Sequence, residues 1–126
     1  MNLSTVQTLA GRALIALLFI FAGLAKALVP QPFLDHMAEF GVPAALLPAV
    51  IALEIGAGIA LLAGWRLRYA AGALAVFCLL TAIIFHHELG VKTERTLFLK
   101  DLAIAGALLV MSAADRRVVP QTETRA

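Results

Sequence analysis

Charge is what this 126-residue sequence has least of: 14% of its residues are Asp, Glu, Lys or Arg, against 62% hydrophobic, and mean hydropathy is +0.94. A soluble domain is about a quarter charged and roughly half apolar, so water is excluded as the solvent for most of this surface. Cysteine occurs once, as Cys78, which rules out an internal disulfide and any Cys-x-x-Cys redox pair. Lys and Arg are missing from Met1 to Ala10. A secretion signal needs a basic stretch there, so the first apolar run is read as a retained helix, although Ala25-Lys26-Ala27 loosely imitates a cleavage site. The net charge is only +2 and the basic residues are scattered, which leaves no nucleic-acid surface. Glycine-rich phosphate loops and dinucleotide fingerprints are absent too; Gly56 and Gly58 sit in an apolar run, where they permit close packing. His36, His86 and His87 all fall at or beyond one predicted membrane boundary, so no axial pair exists for a buried haem. No His-x-x-x-His or Glu-x-x-His spacing enforces a metal site either, and none is assigned.

What the sequence does have is four long apolar runs, at about 9–29, 43–64, 67–85 and 97–114. Each approaches the roughly 20 residues that cross a hydrocarbon core of about 30 Å. Apolar residues fill every face of them, as lipid-facing helices require. The expected fold is all-α: an integral membrane four-helix bundle forming a single domain, with lipid as its surroundings. Arg66, Arg68, Arg116 and Arg117 lie tight against helix ends on one side, which by the positive-inside rule makes both termini cytoplasmic. Between the first two runs, Phe33, Leu34, Met37 and Phe40 recur at helical spacing among Asp35, His36 and Glu39. That pattern predicts a short amphipathic helix in the outer interface, with Pro32 in its first turn and Gly41 at its end. Pro43 opens the second run, and Pro48 is expected to bend it one turn later. Residues 118–126 read as a flexible tail.

Polar residues within the runs carry what functional signal there is. A charge at the centre of a membrane helix costs about 2.5–3.5 kcal/mol on insertion scales, so it turns inward and finds a partner. Glu54 lies near the middle of the second run and is too short to reach a headgroup; it is either protonated or paired with a cation. The ordinary alternative is a helix–helix hydrogen bond. Arg12, Ala16, Phe19, Gly23 and Lys26 form one stripe along the first helix, drifting only about 20° per heptad. Arg12 and Lys26 lie near its opposite ends, where reaching out to headgroups is the competing explanation. Spacing alone does not decide which of them pairs with Glu54. At the outer boundary His86, Lys100, Asp101 and Lys26 come to one level, a candidate positively biased pocket floored by Glu54 and roofed by the Phe33–Phe40 segment. For Lys100 and Asp101 the alternative is an ordinary boundary position.

Taken in order, several of these positions resemble the DoxX family of small bacterial inner-membrane proteins. The resemblance runs from Gly11 to Ala114. It rests on Gly11-Arg12, Phe19-x-x-x-Gly23-x-x-Lys26, Gly41-Val42-Pro43, Glu54-x-x-x-Gly58, Gly64, His86, Phe98-Leu99-Lys100 and Ala105-Gly106. Where the family often has Lys-Asn, this sequence has Lys100-Asp101, a carboxylate in place of an amide. The resemblance implies a four-helix bundle in the bacterial inner membrane and a loose association with redox chemistry, since related proteins look like subunits of thiosulfate:quinone oxidoreductases or act beside oxidative-stress enzymes.

Two functional classes follow. In the first, a quinone-like headgroup binds near the outer boundary, with Glu54 and His86 as candidate catalytic residues and Arg12, Lys26, Lys100 and Asp101 as candidate cofactor-binding residues. Lys26 and His86 donate to ring oxygens, while Glu54 accepts or relays a proton. No electron carrier is evident in the chain, so a redox-enzyme partner subunit has to supply one. In the second class the protein is a non-enzymatic membrane adaptor or assembly factor whose internal charges are structural and whose small residues mediate docking. A transporter fits less well, because four short helices leave little room for alternating access unless the chain forms a homo-oligomer.

Overall fold

The computed structural model describes residues 2–118, with side chains described as far as Ala114. The flexible tail expected over 118–126 therefore lies, from 119 onward, outside the described residues. Helix α1 spans Leu3–Leu28, α2 Gln31–Glu39, α3 Leu47–Ala63, α4 Leu67–Phe85 and α5 Lys92–Val118, with a 3-10 turn at Ala44–Leu46 leading into α3. Strands are absent among the described residues. Four segments are long and apolar enough to cross a membrane: Leu3–Leu28, Ala44–Ala63, Leu67–Phe85 and Lys92–Ala114. The chain divides between Trp65 and Arg66 into two compact units. In the first α1 packs on α3, and in the second α4 packs on α5.

Local chemistry sets the helix ends where hydropathy did not. Helix α1 starts at Leu3 rather than near residue 9 because Asn2 caps it: its side-chain oxygen accepts from the Thr5 N–H at 2.9 Å and from the Ser4 and Thr5 hydroxyls. Helix α5 starts at Lys92 rather than near 97, with Glu94 in its first turn, where a negative charge suits the helix dipole. Pro48 differs from expectation. It is the second residue of α3, where a missing N–H deprives no carbonyl of a partner, so it opens the helix instead of bending it. Helix α2 has Pro32 in its first turn, and Gly41 beyond its end takes φ +71°, a left-handed conformation that costs glycine little.

Packing within each unit uses small residues. On α1 the buried face is Ala16, Phe19 and Gly23; on α3 it includes Glu54, Gly58 and Leu61. Their neighbours run in opposite directions: Gly23 lies against Glu54 and Ile55, and Gly58 against Ala16 and Ile20, so the pair is antiparallel. Helix α4 buries Ala70, Leu74, Cys78 and Ala82 at four-residue spacing, together with Ala71 and Ala75. The Ser112 hydroxyl of α5 donates to the Arg68 carbonyl of α4 at 2.9 Å. Large apolar side chains point the other way: Leu14, Phe21 and Val110 are each 70% exposed. Such surfaces suit lipid tails, which are as apolar as leucine itself.

A methyl group at Gly23 would fall 2.5 Å from Ile55 Cγ1, whereas one at Gly56 would meet nothing within 4 Å. Gly23→Ala should therefore destabilise the α1–α3 pair by about 1–3 kcal/mol. Gly56→Ala should be neutral or stabilising by up to about 1 kcal/mol, since alanine is the better helix former. Reversible unfolding of both variants in detergent micelles measures the contrast, and equal effects would show that α1 and α3 do not meet at Gly23.

Candidate functional site

The strongest polar feature is built from three elements of the first unit. Glu54, 3% exposed, is the buried charged residue of α3. Gly23 brings α1 so close that a Cβ there would lie 3.3 Å from the Glu54 Cβ. Lys26 follows Gly23 by three residues, about 4.5 Å along the axis. Side chains on a helix lean toward its N-terminus, so Lys26, near the C-terminal end of α1, leans back toward the level of Gly23 and Glu54. Its ammonium lies 2.7 Å from Glu54 Oε1. No hydrogen bond of regular angle reaches that oxygen, so the contact is charge against charge. The same ammonium stands 5.0 Å from the centre of the Phe33 ring on α2, within cation–π range. The Lys26 side chain stays 17% exposed against 4% for that of Glu54. The lysine side chain thus keeps some accessible surface while the carboxylate is enclosed.

Arg12 serves elsewhere. Its Nε donates to the Leu61 carbonyl at 2.9 Å and its Nη2 to the Leu62 carbonyl at 3.3 Å. The guanidinium also covers Gly64, where a Cβ would lie 2.8 Å from Nη2. Those carbonyls belong to the last turn of α3 and lack partners within the helix, and a cation there also suits the dipole. Fourteen residues of helix, about 21 Å, separate Arg12 from Lys26, so the two ends of one stripe do unrelated work.

The second unit holds a different cluster. His86 ends α4, and its Nδ1 lies 2.9 Å from Glu94 Oε2 while its Nε2 lies 3.9 Å from Asp101 Oδ2. Glu94 and Asp101 are seven residues apart on α5 and share one face of it. Lys100, the neighbour of Asp101, is exposed. Of the residues singled out from sequence, then, Lys26 meets Glu54 and His86 meets Asp101. Glu94 was missed because it preceded the apolar run; its seven-residue spacing from Asp101 was the available signal. No group of three His, Cys, Asp or Glu side chains suited to a metal ion occurs among the described residues.

The pair Lys26–Glu54 gives a clear stability signature. Leaving one charge in an apolar helix pair without its partner should cost about 3–5 kcal/mol, whereas removing both should cost far less. In a double-mutant cycle, Lys26→Met and Glu54→Leu should each destabilise the protein and the double variant should recover most of the loss. Additive losses would mean that the two groups do not interact.

Comparison with known proteins follows the same helices. A model of the DoxX family matches residues 7–87, from α1 through the histidines after α4. The inner membrane protein YqjF of Escherichia coli (strain K12) is 38% identical over 111 residues, covering 88% of this chain and 85% of its own. The inner membrane protein YphA of the same organism is 32% identical over 114 residues, covering 85% of this chain and 81% of its own. No solved structure matches significantly. With a family model over most of its length, relatives aligned nearly end to end and four helices fit to cross a bilayer, this chain belongs to the DoxX family of inner-membrane proteins.

Proposed function

We propose that this DoxX-family protein is a quinone-associated membrane subunit whose Lys26–Glu54 pair binds a quinone-like headgroup near the outer membrane boundary. One observation carries the reading: the Lys26 ammonium, though ion-paired, keeps 17% of its side chain exposed and stands 5.0 Å from the Phe33 ring. An ammonium has three N–H donors. One is turned to Glu54, which leaves others for a ligand oxygen.

The residues fit such a group. A quinone headgroup is a flat ring with carbonyl acceptors on an apolar tail, and here a donor cation, an aromatic ring and lipid-facing helices lie together. Lys26 orients the ring oxygen by a charged hydrogen bond, and Phe33 offers its face to the ring. Glu54, enclosed and 2.7 Å from the cation, holds or returns a proton as charge develops next to it. When bound, the quinone supplies the redox chemistry, with electrons from a partner subunit. Arg12 leaves the proposed ligand set because its donors serve the end of α3. That same satisfaction of internal charge favours the competing reading, a membrane adaptor with structural charges.

Titration of the full chain in lipid nanodiscs with a short-tailed quinone analogue separates the two. Wild type should bind, and Lys26→Met should weaken binding by about 10- to 100-fold, the worth of a charged hydrogen bond. Glu54→Gln should weaken it less, because the ammonium remains. Equal affinity in all three, or no binding to wild type, would leave the adaptor.

A further inference from the structure

The His86 cluster is not used by this reading, and its geometry has a direction. As a carboxylate Glu94 accepts only, and in that state the hydrogen bond at 2.9 Å has its proton on His86 Nδ1. In the neutral ring Nε2 is then an acceptor, and it faces Asp101 Oδ2 at 3.9 Å, beyond hydrogen-bonding distance. Two acceptors turned toward each other call for a proton between them. Glu94 and Asp101 lie about 10 Å apart along α5, with the imidazole between their carboxylates. Exposure is greatest at Glu94, whose side chain is 29% exposed, against 17% for His86 and 23% for Asp101. Among the described residues, no other ionisable side chain pairs with His86. The adjacent His87 turns its Nδ1 to the Ile83 and Ile84 carbonyls.

From this arrangement we infer that Glu94, His86 and Asp101 form a proton-exchange site, sharing no residue with the Lys26–Glu54 pair, that links the α4–α5 turn to the interior of the fourth span. Asp101 in its acid form passes its proton to the Nε2 lone pair, across one bridging water or after a small rotation of the ring. In the same step Nδ1 gives its proton to the Glu94 carboxylate. Asp101 ends as the carboxylate, His86 as a neutral ring protonated on Nε2, and Glu94 as the acid, so proton count and charge balance. Glu94 then releases the proton to solvent, and reversal of each step carries one inward. Glu94 is a positioning residue as well as a terminus: its bond to Nδ1 sets which nitrogen faces Asp101. The site needs no ligand at Lys26–Glu54, and its test does not depend on one.

Infrared difference spectroscopy after a pH jump, on the full chain in nanodiscs, reads the exchange directly. A protonated-carboxyl band that vanishes in Asp101→Asn reports Asp101. In His86→Gln that band should respond about a hundredfold more slowly, the usual worth of a positioned proton-transfer group. Glu94→Gln, which keeps an acceptor for Nδ1 but cannot carry the proton, should slow it too while helicity by circular dichroism is unchanged. If His86→Gln does not fold, the Glu94→Gln rate decides alone. An Asp101 band that responds at the wild-type rate in the folded variants, or no Asp101 band in wild type, would overturn the site.

Discussion

A carboxylate in the middle of an apolar helix has no water to stabilise it, and the first unit is arranged around that constraint. Glu54 needs a cation, and α1 brings one to its level by running close enough for Lys26 to lean across. Gly23 supplies the closeness, since any larger residue there would collide with Ile55. Helix geometry supplies the lean, because Lys26 points back along α1 instead of out toward headgroups. The antiparallel run of α1 against α3 sets Lys26 beside Glu54, and α2 places Phe33 5.0 Å from the same ammonium.

Association in a bilayer cannot rely on driving apolar side chains out of water, because lipid tails are equally apolar. Close backbone approach and satisfied polar groups take that role. Both appear in each unit. In the first, Gly23 and Gly58 bring α1 and α3 together while Arg12 closes the carbonyl end of α3. In the second, the alanine-rich face of α4 is joined by the Ser112 hydroxyl bonded to the Arg68 carbonyl and by His86 between two carboxylates of α5. The two units thus solve one packing problem with different polar fasteners: a fixed ion pair in one, a titratable ring in the other.

That difference bears on chemistry. Lys26 and Glu54 form a direct ion pair at 2.7 Å, with the lysine side chain 17% exposed and the glutamate enclosed. His86 has two nitrogens facing two carboxylates at unequal distances, a geometry suited to passing protons.

Composition and run length by themselves determined the solvent and the class of fold, because continuous apolar runs of about 20 residues satisfy their backbone in lipid as helices, whereas barrel strands are shorter and alternate. The heptad stripe on α1 likewise identified Ala16, Phe19 and Gly23 as an inward face, since period and residue size need no tertiary knowledge. Helix starts at Leu3 and Lys92 escaped hydropathy because caps and dipoles, not apolarity, set them. The partner of Glu54 was decided only by tertiary structure: Arg12 and Lys26 share one stripe and one charge, and which of them reaches the acid depends on which way α3 runs against α1. The same is true of Glu94 and His86, eight residues apart across a turn. Sequence fixes what each side chain can bond to, but distances between helices exist only once the helices pack.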